Sequence, residues 1–124
     1  MLVVAVARIG LDTSDCASLK DKRRISKGII DRVKHRFNVS ISEIEENDFH
    51  SVLVLGISTT SNTTNHAASR IDKLLSFIEN LYLAPVIFRE REIINFGALE
   101  QPFWELESDT DWDQVKQSIS SFEE

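Results

Sequence analysis

The sequence predicts an α+β domain of ferredoxin-like βαββαβ plan, a four-stranded antiparallel sheet with two helices on one face. Three observations carry that expectation. Apolar residues recur at helical spacing in two stretches, 19–37 and about 62–80. Four other stretches are short and rich in β-branched residues, bounded by polar turn residues. The resulting order is β-α-β-β-α-β, with one short polar loop joining the two middle strands. This unit takes in residues 1–96, and residues 97–124 form an acidic extension beyond it.

Residues 2–9 are a Val-rich apolar run suited to a buried strand, followed by turn chemistry at 10–18, GLDTSDCAS. Ser18 and Asp21 have the S-x-x-D form of a capping box, so the first helix is expected to begin after Ser18 and to end at Asn38. Ile25, Ile29, Ile30, Val33 and Phe37 form its apolar side. Gly28 in mid-helix reads as simple tolerance rather than a required close contact. The stretch NVSISEIEE alternates imperfectly, as expected of an exposed strand with a bulge near Glu43. After the turn EENDF, residues 50–60 form a central strand that pairs back as a hairpin.

Ser61 or Asn62 is expected to cap a second helix running to about Asn80, with Ala67, Ile71, Leu74, Ile78 and Leu81 as its apolar stripe. Residues 83–94 form the last strand, where Pro85 favours a strand start or an edge position. Its Arg89-Glu90-Arg91-Glu92 run puts arginines on one face and glutamates on the other. In the extension, Trp112, Val115, Ile119 and Phe122 suggest an amphipathic helix, with the open face of the sheet as its candidate dock.

Composition bounds the function. A chain of 124 residues holds one domain with a real core, and 42% hydrophobic and 27% charged residues are ordinary for a soluble globular protein. Cys16 is the single cysteine, so no internal disulfide forms and a reducing cytoplasm is the expected setting. The apolar N-terminus is broken by Arg8 and reads as a strand rather than a signal peptide or membrane span, so no membrane partner is expected.

The net charge is −6, yet Leu19 to Phe37 holds eight of the fourteen Lys and Arg residues against two acids. That leaves a helix with one apolar side and one cationic side on an acidic body. Lys20, Lys22, Arg23, Arg24, Lys27, Lys34 and Arg36 are the candidate RNA-binding residues, because cations in such an array release counterions from a phosphate backbone. The same run also fits a solvated helix face partly paired with acids elsewhere. The extension carries a local charge of −7 and could instead cover this helix.

Four stretches resemble the YlxP family of small bacterial proteins: SLKDKRR at 18–24, RFNVSISEI at 36–44, VLGISTTSN at 54–62 and IDKLLSFIE at 71–79. The resemblance covers roughly residues 2 to 94 without gaps. It implies a ferredoxin-like fold and no established enzyme activity. Family members are often encoded beside translation and ribosome-maturation factors, which implies a role at ribosomal RNA or the small ribosomal subunit. His50 stands where the family usually has an aromatic residue, Val52 where it often has a basic one, and residues 97–124 lie beyond the usual family end.

Other chemistry has weaker support. The Ser/Thr-rich run 58–64 with Asn62 could form an anion site, but a helix cap explains it more simply. The aromatic pattern of RNA-stacking sheets is absent from the central strands. His35, His50 and His66 lack metal-ligand spacing, and Cys16 lies near Asp12 and Asp15, which disfavour a thiolate. Glu43 and Asp48 are a conceivable carboxylate pair that a bulge and a turn also explain. No catalytic residue, metal or cofactor is expected. The leading expectation is a non-enzymatic module contacting structured ribosomal RNA in ribosome maturation or translation. The alternative is a homo-oligomer or protein–protein module using the sheet edge or face.

Overall fold

The structure is a computed structural model that describes residues 1–45, 49–97, 117 and 119. Its elements follow the expected order: β1 (Leu2–Asp12), α1 (Leu19–Arg36), β2 (Ser40–Glu45), β3 (Val52–Ser61), α2 (Thr64–Asn80) and β4 (Val86–Phe96). The strands form one antiparallel sheet in the order β2-β3-β1-β4, so β2 and β4 are the edges. This is the ferredoxin-like plan.

Period-2 patterning decides which face is which. Along β1, Val3, Ala5, Ala7, Ile9 and Leu11 are buried and point to the helices, as do Leu53, Leu55 and Ile57 of β3. Ile29 and Val33 of α1 and Ala67, Ile71, Leu74 and Ile78 of α2 close the core from the other side. Each fully buried Leu or Ile contributes about 1.5–3 kcal/mol. α1 lies over the β2 side of the sheet, and α2 over β1, β3 and β4.

Both helices begin at hydroxyl caps. Ser18 Oγ accepts from the Asp21 N–H at 3.3 Å, as the capping box predicts. For α2 the cap is Thr63 rather than Ser61 or Asn62: its Oγ1 accepts from the His66 N–H at 3.2 Å. Ser61 Oγ accepts from the Thr63 N–H and shapes the approach. Of the hydroxyls in this run, those of Ser61 and Thr63 shape the helix start, while Thr59 Oγ1 donates to the Asn38 carbonyl and accepts from Arg70.

Other boundaries move by a few residues for local reasons. α1 stops at Arg36 because Phe37 turns extended and packs its ring edge-on against Phe77 of α2, 5.5 Å between centroids. β4 starts at Val86, after the Pro85 carbonyl has accepted the Asp12 N–H at 2.7 Å. The bulge expected near Glu43 is present as a register shift between Glu43 and Glu45. Gly10 of β1 lies under the ring of Phe88, where an added Cβ would collide with the ring carbons. At Gly28 an added Cβ would meet the movable guanidinium end of Arg32 at 2.9 Å, in keeping with tolerance.

The expected helix of the extension, and with it most of residues 97–124, falls outside the described residues. Within it, Gln117 and Ile119 have helical backbone, and Ile119 is 50% exposed. Asp48 also falls outside them. No helix among the described residues is long and apolar enough to cross a membrane.

Candidate nucleic-acid interface

The stripe that α1 turns to the sheet is Lys22, Ser26, Ile29 and Val33, at spacings of four, three and four. Lys22 is therefore a correction to the expected cationic face. It is 1% exposed, its Nζ donates to the Phe49 carbonyl at 2.6 Å and it pairs with Glu43 Oε1 at 3.0 Å. A buried ammonium persists only when desolvation is offset by such partners. Lys22 ties α1 to β2 and to the loop that leads into β3, and is not a surface for phosphate. The signal was present in the sequence, because Lys22 lies on the same helical stripe as Ile29 and Val33.

The other six candidates are exposed, and they divide between two flanks. Lys20, Arg23, Arg24, Lys27 and Lys34 follow the outward arc of the helix, the side turned away from the sheet and from α2. None of the five is held in an ion pair among the described residues. Arg36 lies on the opposite flank, its guanidinium 5.0 Å from the Phe77 ring centroid in a cation–π contact. Arg32, on that flank too, folds back to donate to the Gly28 carbonyl at 2.9 Å. Four of the outward cations lie within Lys20–Lys27 and Lys34 follows two turns on, past the exposed Asp31 on the same arc, whereas Arg36 belongs to the groove between the helices.

The sheet's open face is built differently. Opposed residues of an antiparallel ladder share a face, so the pairs Leu2 and Phe96, Val4 and Ile94, Val6 and Glu92, Arg8 and Glu90, and Gly10 and Phe88 lay it out. Arg8 at its centre is flanked by Glu45 of β2 at 3.4 Å and by Glu90 of β4. On the helix side of β4, Arg89 pairs with Glu79 at 3.3 Å and Arg91 with Asp72 at 2.9 Å. The aromatic residue that the described strands place on this face beside Gly10, Phe88, is taken up in covering it.

Among the described residues, no three His, Cys, Asp or Glu side chains converge as a metal site would require. Cys16 is buried, and burial raises its thiol pKa, with the carboxylates of Asp21 and Asp15 adding to the shift. Asp12 does not take part: the Ser14 side chain, and next the Ser14 N–H at 2.9 Å, hydrogen-bond its carboxylate and lower its pKa. Glu43 is engaged with Lys22.

A four-stranded antiparallel sheet, two helices on one face and a free cationic arc on the first helix together define a small α+β protein of ferredoxin-like fold with a candidate anion-binding surface. The chain belongs to the DUF503 family, described as "Protein of unknown function", whose match spans residues 4–91. It is 38% identical over 66 residues, 53% of this chain and 72% of the relative, to a protein described as "Uncharacterized protein YlxP" from Bacillus subtilis (strain 168). Two designed proteins are similar in structure. "De novo designed protein Foldit4" has a TM-score of 0.49 at 16% identity, covering 77% of this chain and 98% of its own. De novo designed protein LFR1 1 with ferredoxin fold, a solution NMR structure, has a TM-score of 0.48 at 20% identity, covering 82% and 93%.

Proposed function

We propose that this protein is a non-enzymatic module that binds structured RNA through the outward arc of α1, with Lys20, Arg23, Arg24, Lys27 and Lys34 as phosphate contacts. The observation that carries the reading is that these five cations are exposed and unpaired among the described residues of a chain with a net charge of −6. A protein this acidic is repelled by nucleic acid at long range, so a local array must provide the attraction. Contacts of this kind read backbone and shape rather than sequence. The family resemblance makes ribosomal RNA of the small subunit the first target, in ribosome maturation or translation within the cytoplasm.

The test is the affinity of the full chain for a folded small-subunit ribosomal RNA helix at about 50 mM salt. Charge reversal in K20E/R23E/R24E/K27E is expected to reduce it at least ~100-fold, with the fold intact by circular dichroism. An unchanged affinity, or no binding by the unaltered chain, overturns the proposal. A second reading, assembly through the sheet, is favoured by the exposed apolar residues Leu2, Ile94 and Phe96. Its test is the mass in solution by light scattering, where a stable dimer supports it and a monomer removes it.

A further inference from the structure

The two helices leave a groove between them, and the half-buried ring of Phe77 lies at its centre. Two adjoining depressions meet there, one running along α1 past Gly28 and Arg32, the other along α2 past Lys73 and Ser76. Arg36 and Phe77 line both. Arg36 is exposed, and its guanidinium lies over the Phe77 ring at 5.0 Å. It makes no ion pair or hydrogen bond among the described residues, unlike Arg8, Arg89 and Arg91 of the sheet. The helix C-terminus favours a cation at this position. It does not call for a planar one seated on an aromatic ring.

We infer that this groove takes one unpaired nucleotide of the bound RNA, its base stacked on the Arg36 guanidinium over Phe77 and its phosphate held by Arg32. The inference rests on the RNA reading proposed above and adds a second site to it. A base splayed out of its helix presents a π-face, which stacks on guanidinium planes and aromatic rings alike. Arg32 stands one turn before Arg36, about 6 Å along the helix axis. It spends one N–H group on the Gly28 carbonyl and keeps the others for an anion.

Charge favours the same occupant. The groove is lined by Arg32, Arg36 and Lys73 against Asp31 and Asp72, and Asp72 is already met by Arg91 at 2.9 Å. An apolar side chain from a protein partner would leave both guanidinium groups without a counterpart. Distance permits the two sites to act together, because a helix with its side chains is only about 10–12 Å across. A strand seated on the outward arc passes over the crest of α1, where helical spacing puts Arg24, Asp31 and His35. At ~3.4 Å per stacked nucleotide it reaches the groove within a few steps. A fully paired helix keeps its bases inside the stack and leaves the groove empty.

The test compares binding of the full chain to two RNA helices that differ by a single bulged adenosine. The bulged helix is expected to bind about 5- to 100-fold more tightly. A fluorescent adenine analogue placed at the bulge should be quenched on binding, as stacking requires. R36Q, at an exposed position, and F77L, which keeps an apolar side chain in the groove, should each remove the preference and the quenching, with circular dichroism unchanged. K20E/R23E/R24E/K27E should instead weaken both helices alike. Equal affinity of the unaltered chain for the two helices, or a preference that survives both R36Q and F77L, overturns the inference and leaves the outward arc as an RNA surface. A preference abolished by excess adenosine monophosphate also overturns it, because the occupant is then a free nucleotide. Binding of neither helix overturns the RNA reading and this inference together.

Discussion

α1 and β4 both read as runs of charge, KDKRRISK in one and RERE in the other, and the fold treats them in opposite ways. In β4 the period of two sends each sign to its own face, and each face meets an element carrying the complement. Arg89 and Arg91 reach Glu79 and Asp72 on α2, and Glu90 reaches Arg8 on β1. In α1 the helical period instead spreads most of the cations around an arc whose outer part faces no other element among the described residues. Among the described residues only Lys22, which falls on the buried stripe, is paired with a carboxylate. A charge run therefore suggests binding only where topology leaves it without an internal complement.

The comparison breaks first at Lys22. K22A leaves Glu43 and the Phe49 carbonyl without their cation in a site where Lys22 is 1% and Glu43 20% exposed. Truncating one partner of a buried pair costs about 3–5 kcal/mol, and the partial access of water to Glu43 brings the expectation to about 2–4 kcal/mol. K20A, two residues away and exposed, should change stability by less than about 0.5 kcal/mol. Urea unfolding of the two variants checks the contrast, and equal effects would dissolve it. Replacing the pair together, K22M/E43L, should recover much of the loss.

The next largest effect is expected on the open face. G10A forces the Phe88 ring off β1 and should cost about 1–3 kcal/mol, read as a lowered midpoint in urea. Smaller again is the β4 network itself: R89A removes a pair whose side chains are 47% and 49% exposed, and should cost no more than about 0.5 kcal/mol. The smallest concerns the turn before α1. Its raised pKa keeps Cys16 protonated, so at neutral pH alkylation should be slower than for a free thiol and should accelerate only above the usual thiol range.

The sheet and helix order was legible because periods of 2 and 3.6 separate cleanly in this chain, and because Ser18 and the bulge at Glu43 are local signals. The cap at Thr63 was less legible, since Ser61, Asn62 and Thr63 are all competent and the geometry of the preceding strand decides among them. The cationic arc was legible as composition but not as a set. Helical spacing set Lys22 on the stripe of Ile29 and Val33 and Arg36 on the flank opposite the other cations, but not what each would meet there, a hairpin carboxylate in one case and the Phe77 ring in the other. Those partners lie 21 and 41 positions away in the chain, where local pattern carries no information. The pairing of Arg8 with Glu45 and Glu90 was illegible for the same reason.

The central claim is that the outward cations of α1 are left available for phosphate. The most direct measurement is the slope of log affinity against log salt concentration for a folded ribosomal RNA helix. Five contacts predict a slope of about −3.5 to −4.5 for the unaltered chain. Each single neutralisation among Lys20, Arg23, Arg24, Lys27 and Lys34 should reduce its magnitude by about 1, while K73Q on α2 leaves it unchanged. A slope near zero, or one that responds to K73Q as much as to R24Q, would contradict the account.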